Sequence, residues 1–213
     1  MINLIKSFNN KKIEWKYFLL LLFVYFLLTI PLGVIIGLLL KAFNITHAFK
    51  NNDNLSFWKV VIVAPLIEEC LFRLLLKPRF KNLIAYSIIT SPFVLYLFRN
   101  GEQTIAIVLV GVLVGVALLI FKRQEYLIKF YRIFLKRFSY LFYLSIFVFG
   151  FIHLRNFIFP ELSIWIVLIF PLLVSPQLII GGILGFIRMK WGFIYCVLFH
   201  AMVNGIIYLL RVI

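Results

Sequence analysis

The chain has 213 residues, 64% of them hydrophobic and 14% charged, with mean hydropathy +1.09 and a formal net charge of +15. That composition lies far outside the soluble range and excludes an ordinary water-soluble domain. Its two cysteines, Cys70 and Cys196, each fall in an apolar segment and read as reduced core residues, so no disulfide framework is implied.

Seven apolar segments follow one another: 17–40, 57–76, 83–98, 103–121, 139–159, 162–187 and 191–212. Several exceed the roughly 18 residues that cross a bilayer. They are continuously apolar and too long for strands, so they are helices, which satisfy their own backbone bonds in lipid. The expected fold is all-α, a polytopic transmembrane bundle of about seven spans. The third segment is short and carries Pro92; the sixth carries Pro171 and Pro176 and is either one kinked helix or two short ones, which would make eight spans. Residues 1–56 form a basic N-terminal segment, a first span and an outer loop, and residues 57–213 form the core. The first apolar run is too long for the roughly 7–15-residue centre of a cleaved signal peptide.

Basic residues set the orientation. With the N-terminus cytoplasmic, segments 1–16, 77–82, 122–138 and 188–190 lie inside and hold fifteen lysines and arginines; the outer side holds six. This positive-inside asymmetry fits an integral, multi-pass protein of the cell membrane. The basic excess is therefore a topology signal, and no nucleic-acid partner is expected. Segment 122–138, KRQEYLIKFYRIFLKRF, alternates basic and bulky apolar residues. It reads as an amphipathic helix on the anionic leaflet or as a plain basic loop.

Few strongly polar side chains remain within the spans: Glu68, Glu69, Arg73, His153, His200 and Asn204, with Gln177 beside Pro176. A charge at the bilayer centre costs roughly 2.5–3.5 kcal/mol on insertion scales, so such groups are expected to share one interior cavity and to pair. Glu69 and Arg73 are four apart and stack on one helix face as an ion pair. Glu68 points about 100° away and is left free to address water or substrate. His200 and Asn204, also four apart, project together. Phe149, one turn before His153, is placed to wall the cavity. Each also has a plain structural reading: Glu69–Arg73 as a clip, His153 as a hydrogen-bonded packing residue, His200 and Asn204 as glue between helices, and Gln177 as a partner for backbone groups freed by the prolines.

Glu68-Glu69-x-x-x-Arg73, Phe149-x-x-x-His153 and His200-x-x-x-Asn204 resemble, in order and spacing, the three motifs of the CPBP family, which includes the Abi proteins and the type II CaaX prenyl endopeptidases. The resemblance covers roughly residues 57–210. It implies an intramembrane endopeptidase acting on a membrane-presented peptide or protein, with its active site opening toward the cytosol. The chemistry of peptide hydrolysis suits these residues. Glu68 with His153 would activate water, His200 and Asn204 would form an oxyanion hole, and Glu69, Arg73 and Phe149 would support them. Glu68, His153 and His200 also make a possible zinc set, yet a metal-free glutamate mechanism explains the same residues, and no HExxH spacing decides between them. The competing readings are a non-catalytic membrane scaffold or bacteriocin-immunity protein using the same pocket, and an ion-coupled transporter.

Overall fold

The computed structural model describes residues 11–48, 56–121 and 124–212. The long apolar run at the start forms α1 (Trp15–Ala42), which continues through Pro31 and leaves Leu19, Phe23, Leu27, Ile30 and Leu38 exposed on its outer face. In lipid, such a face needs no protein cover. A composite helix follows: a π-helical turn over Lys59–Val63, α2 (Ala64–Arg73) and a 3₁₀ turn over Leu74–Leu76. Then come α3 (Phe80–Arg99), α4 (Gln103–Phe121), α5 (Gln124–Lys136) and α6 (Phe138–Ile152), the last running into a 3₁₀ turn, His153–Asn156. The chain closes with α7 (Ile164–Leu173), α8 (Ser175–Lys190) and α9 (Phe193–Val212).

The bundle is all-helical as expected, with differences of detail. By length and composition, five helical stretches among the described residues are able to span a membrane: 15–42, 80–99, 138–156, 164–190 and 193–210. The expected second span, 57–76, instead changes geometry three times. The expected fourth, 103–121, is helical throughout as α4. The sixth segment breaks at Val174, between the helices carrying Pro171 and Pro176. The fifth stops being helical at residue 156. Phe157–Ile158 instead pair antiparallel, as β2, with β1 (Thr46–His47); Phe159 precedes a proline, a position that disfavours helix. Residues 124–136 of the basic segment are helical, and its Tyr131 hydroxyl donates to the Pro78 carbonyl. Residues 122 and 123 of that segment lie outside the described residues.

Specific contacts pin the two ends of the bundle. At one end, the Lys11 amide bonds the Lys190 carbonyl, Lys190 pairs with Glu14 at 2.8 Å, and Lys77 Nζ donates to the Met189 carbonyl. Arg188 donates to the carbonyls of Arg73 and Leu74, capping the end of α2. At the other end lie the β1–β2 pair, the Arg155–Glu102 salt bridge and the Phe57–Tyr208 ring contact. Between them sits the main core, where Phe18 of α1 meets Trp191 and Phe199 edge-on or tilted.

Helix α8 approaches α2 and α6 through small residues. A Cβ at Gly181 would lie 3.2 Å from the Phe149 ring and 3.3 Å from Arg73 Nη2, and one at Gly185 would lie 2.7 Å from Phe142. The Gly181-x-x-x-Gly185 spacing is the small-residue seam that lets membrane helices close on one another. We expect Gly181→Val to destabilise the protein by about 1–3 kcal/mol through overpacking. Gly182→Ala, whose Cβ would meet only Ile146 Cδ1 at 3.9 Å, should cost under about 0.5 kcal/mol. Thermal unfolding of the two variants in detergent checks the contrast.

Candidate active site

Two successive glutamates on α2 end in different surroundings. Glu69 has no exposed side-chain surface, whereas Glu68 keeps 29%. The helical turn of about 100° between neighbours sends one into the core and the other toward space.

Glu69 is surrounded by donors. His200 Nδ1 lies 2.9 Å from its Oε1, Cys196 Sγ donates to its Oε2 at 2.7 Å, and Arg73 Nε stands 3.8 Å from that oxygen. Arg73 is itself fully buried, donates through Nη2 to the Gly181 carbonyl at 3.1 Å, and lies over the Phe149 ring at 4.8 Å. A buried carboxylate is tolerated when its lone pairs are taken up and its charge is offset, and both conditions are met here.

Glu68 has the opposite character. Its Oε2 is buried but accepts no hydrogen bond within the protein. Two imidazole nitrogens converge on it: His200 Nε2 at 3.7 Å and His153 Nε2 at 3.9 Å. Both exceed direct hydrogen-bonding range. The remaining nitrogens fix how each ring presents itself. His153 Nδ1 is 2.7 Å from the Phe149 carbonyl, which only accepts, so the proton sits on Nδ1 and Nε2 faces Glu68. Likewise, the Glu69 carboxylate accepts from His200 Nδ1 and turns Nε2 to the same place. Phe149 packs against both rings, with centroids at 4.9 and 6.0 Å.

Asn204 reaches the same cavity by another route. In the π-helical turn the Ala64 amide bonds Lys59 O, five residues back. In that register the Val60 carbonyl would be served by residue 65, a proline with no N–H. Asn204 Nδ2 donates to Val60 O at 3.0 Å instead. A carboxamide has two N–H donors, so one remains for the cavity. π-turns of this kind recur at functional sites.

The four candidate residues thus come together. Glu68, His153, His200 and Asn204 all line one cavity of about 440 Å³, with Gln177 and Lys59 also on its wall. A second cavity of about 460 Å³ shares Glu68 and His153 but is otherwise walled chiefly by apolar side chains, among them Phe93, Leu97, Ile105 and Leu109. Glu68 stands where the polar and apolar lobes meet. Gln177 Oε1 is buried and accepts no hydrogen bond within the protein.

Reading the sequence also missed two contributors. Cys196, taken for a plain core residue, is a ligand of Glu69; it lies four residues before His200, so a Cys196-x-x-x-His200-x-x-x-Asn204 stripe was available as a signal. The Gly181 carbonyl, which receives Arg73, had only the Gly-x-x-x-Gly spacing to mark it. The possible zinc set Glu68, His153 and His200 has its imidazole Nε2 atoms 3.9 and 3.7 Å from Glu68 Oε2, and no cluster of three or more His, Cys, Asp or Glu side chains gathered as for a metal ion is found among the described residues.

Among curated proteins and among solved structures, none matches the chain. A family profile described as type II CAAX prenyl endopeptidase Rce1-like matches residues 50–206, a stretch that holds all three motifs. This integral membrane protein belongs to the Rce1-like family of type II CAAX prenyl endopeptidases, which is a protease family acting on membrane-associated peptides.

Proposed function

We propose that this protein is an intramembrane endopeptidase in which Glu68 and His153 activate the hydrolytic water while His200 and Asn204 stabilise the oxyanion. The observation that carries this reading is Glu68 Oε2, buried with no hydrogen-bond partner in the protein and facing two imidazole Nε2 atoms at 3.7 and 3.9 Å. A water bridging carboxylate and imidazole suits gaps of that size.

In the first step Glu68 takes a proton from the water as its oxygen attacks the scissile carbonyl carbon. The carbonyl π pair moves to oxygen, which becomes the tetrahedral oxyanion. His200, protonated on Nε2 as well as Nδ1, and the remaining Asn204 N–H donate to that oxygen; the Glu69 carboxylate beside Nδ1 supports the imidazolium. The carbonyl then re-forms, the C–N bond breaks, and the leaving nitrogen receives the proton held by Glu68, passed through His153 or directly. Glu68 and His153 are thus the proton carriers, and His200 and Asn204 the charge acceptors. Phe149 and the apolar lobe keep the site dry enough for these interactions to count. The substrate is a peptide segment presented at the membrane, with an apolar side chain in the lobe formed by Phe93, Leu97 and Ile105.

Comparative peptidomics of cells with and without the active protein identifies a substrate, and purified protein then cleaves it. In that assay His153→Ala should abolish cleavage while leaving insertion and expression unchanged, and a chelator should leave the rate unaltered. Normal processing by His153→Ala contradicts the assignment.

Asn204 has a double duty, and its removal should show both parts. Asn204→Ala is expected to lower kcat by about 10²–10³ through loss of an oxyanion donor. The same variant should lose about 1 kcal/mol of stability through the vacated Val60 carbonyl. Parallel kinetics and thermal melts separate the two effects.

A further inference from the structure

The two ends of the bundle differ sharply in charge, and the cavities that meet at Glu68 reach only one of them. Among the described residues, the end pinned by Lys11, Lys77, Arg188 and Lys190 carries twelve lysines and arginines: three in 11–16, three in 77–81, four in 129–137 and two in 188–190. The opposite end carries five, Lys41, Lys59, Arg99, Arg155 and Arg211. Basic residues are retained on the cytosolic side of membrane proteins, so the crowded end is the cytosolic one.

The cavity walls follow this division. The polar lobe is lined by Lys59, Val60, Asn156, Asn204 and Tyr208, and the apolar lobe by Leu97, Ile105 and Arg155 among others. These belong to the end of α3, the start of α4, the π-turn, the turn after α6 and the last turns of α9. All of them sit at or toward the sparsely charged end. Neither lobe is lined by any residue of 11–16, 77–82 or 188–193.

The route toward the cytosolic end is plugged. Below Glu68 come the fully buried Glu69 and Arg73 with their partners Cys196 and the Gly181 carbonyl. Beneath that layer, Leu184, Ile187, Trp191 and Phe199 are each at most 1% exposed. Beyond those, Arg188 and Lys77 are tied to helix-end carbonyls. Water and peptide have no passage through such a stack at native packing density.

We propose that the site takes water and substrate from the non-cytosolic face, so its substrates are peptide segments exposed outside the cytoplasm, at or within the outer leaflet. This deepens the endopeptidase reading and rests on it for the word substrate; the side of entry stands on geometry and charge alone. The family resemblance implied a cytosolic opening, and the charge layout of this chain argues against carrying that over.

Single cysteines read out the side directly, with the wild-type protein as blank because both of its cysteines are buried. The full-length chain carries Lys59→Cys at the mouth, Gln177→Cys deep in the polar lobe, or Lys81→Cys at the opposite end. Sealed cells are exposed to a permanently charged methanethiosulfonate, then opened and treated again. The expected result is modification of Lys59→Cys and Gln177→Cys in sealed cells, and of Lys81→Cys only after opening. Failure of Gln177→Cys to react in sealed cells, or its reaction only once the membrane is breached, overturns the inference. A second arm adds a candidate peptide to sealed cells and measures cleavage dependent on Glu68. Outside labelling without such cleavage would sink the endopeptidase reading while leaving the entry side in place.

Discussion

A carboxylate held within an apolar bundle constrains everything around it. Glu69 must have donors on both oxygens: His200 and Cys196 supply them from α9, and Arg73, one turn along the same helix as Glu69, offsets the charge. Lipid offers no water to make up a missing bond, so these partners converge or the fold fails. The close approach of α8 at Gly181 serves the same need, because Arg73 must reach a carbonyl there. The stabilising side of the glutamate pair therefore organises the bundle, and the other side inherits a fixed position. Glu68 is held in place by a helix it does nothing to stabilise.

That separation of duties is also what makes the site chemically usable. A carboxylate already engaged by an arginine and a histidine is a poor base, because its lone pairs are occupied. A neighbour one residue along is turned away from those partners and meets two imidazole edges whose orientations are set by Phe149 O and by Glu69. Preorganisation of this kind costs nothing at the moment of reaction, since folding has already placed the donors. The π-turn contributes similarly: Pro65 leaves the Val60 carbonyl without its helical donor, and Asn204 is drawn into the cavity wall to serve it.

Much of this was legible in the sequence because membrane proteins leave polar residues within spans only under strong constraint. The pairing of Glu69 with Arg73, the divergence of Glu68, and the convergence of His153, His200 and Asn204 follow from residue type and helical spacing. What was not legible arose where backbone groups act. The carbonyls of Gly181, Phe149 and Val60 have no residue-type signature, and the π register depends on tertiary contacts with α9. Apolar runs alone do not fix the number of spans, for a related reason. Segment 57–76 is apolar enough to suggest one plain helix, yet its proline and its buried charges divide it into three geometries. The end of α6 was overrun because apolar content alone does not report the extended backbone ahead of Pro160.

The account stands or falls on the two adjacent glutamates having opposite roles. The most direct test compares Glu68→Gln with Glu69→Gln in the purified protein, measuring the rate of peptide cleavage and thermal unfolding on the same samples. The account predicts that Glu68→Gln unfolds like the wild-type protein and cleaves nothing, while Glu69→Gln unfolds at markedly lower temperature because Arg73 and His200 lose their buried counter-charge. Cleavage at the wild-type rate by Glu68→Gln, or undiminished stability of Glu69→Gln, would contradict it.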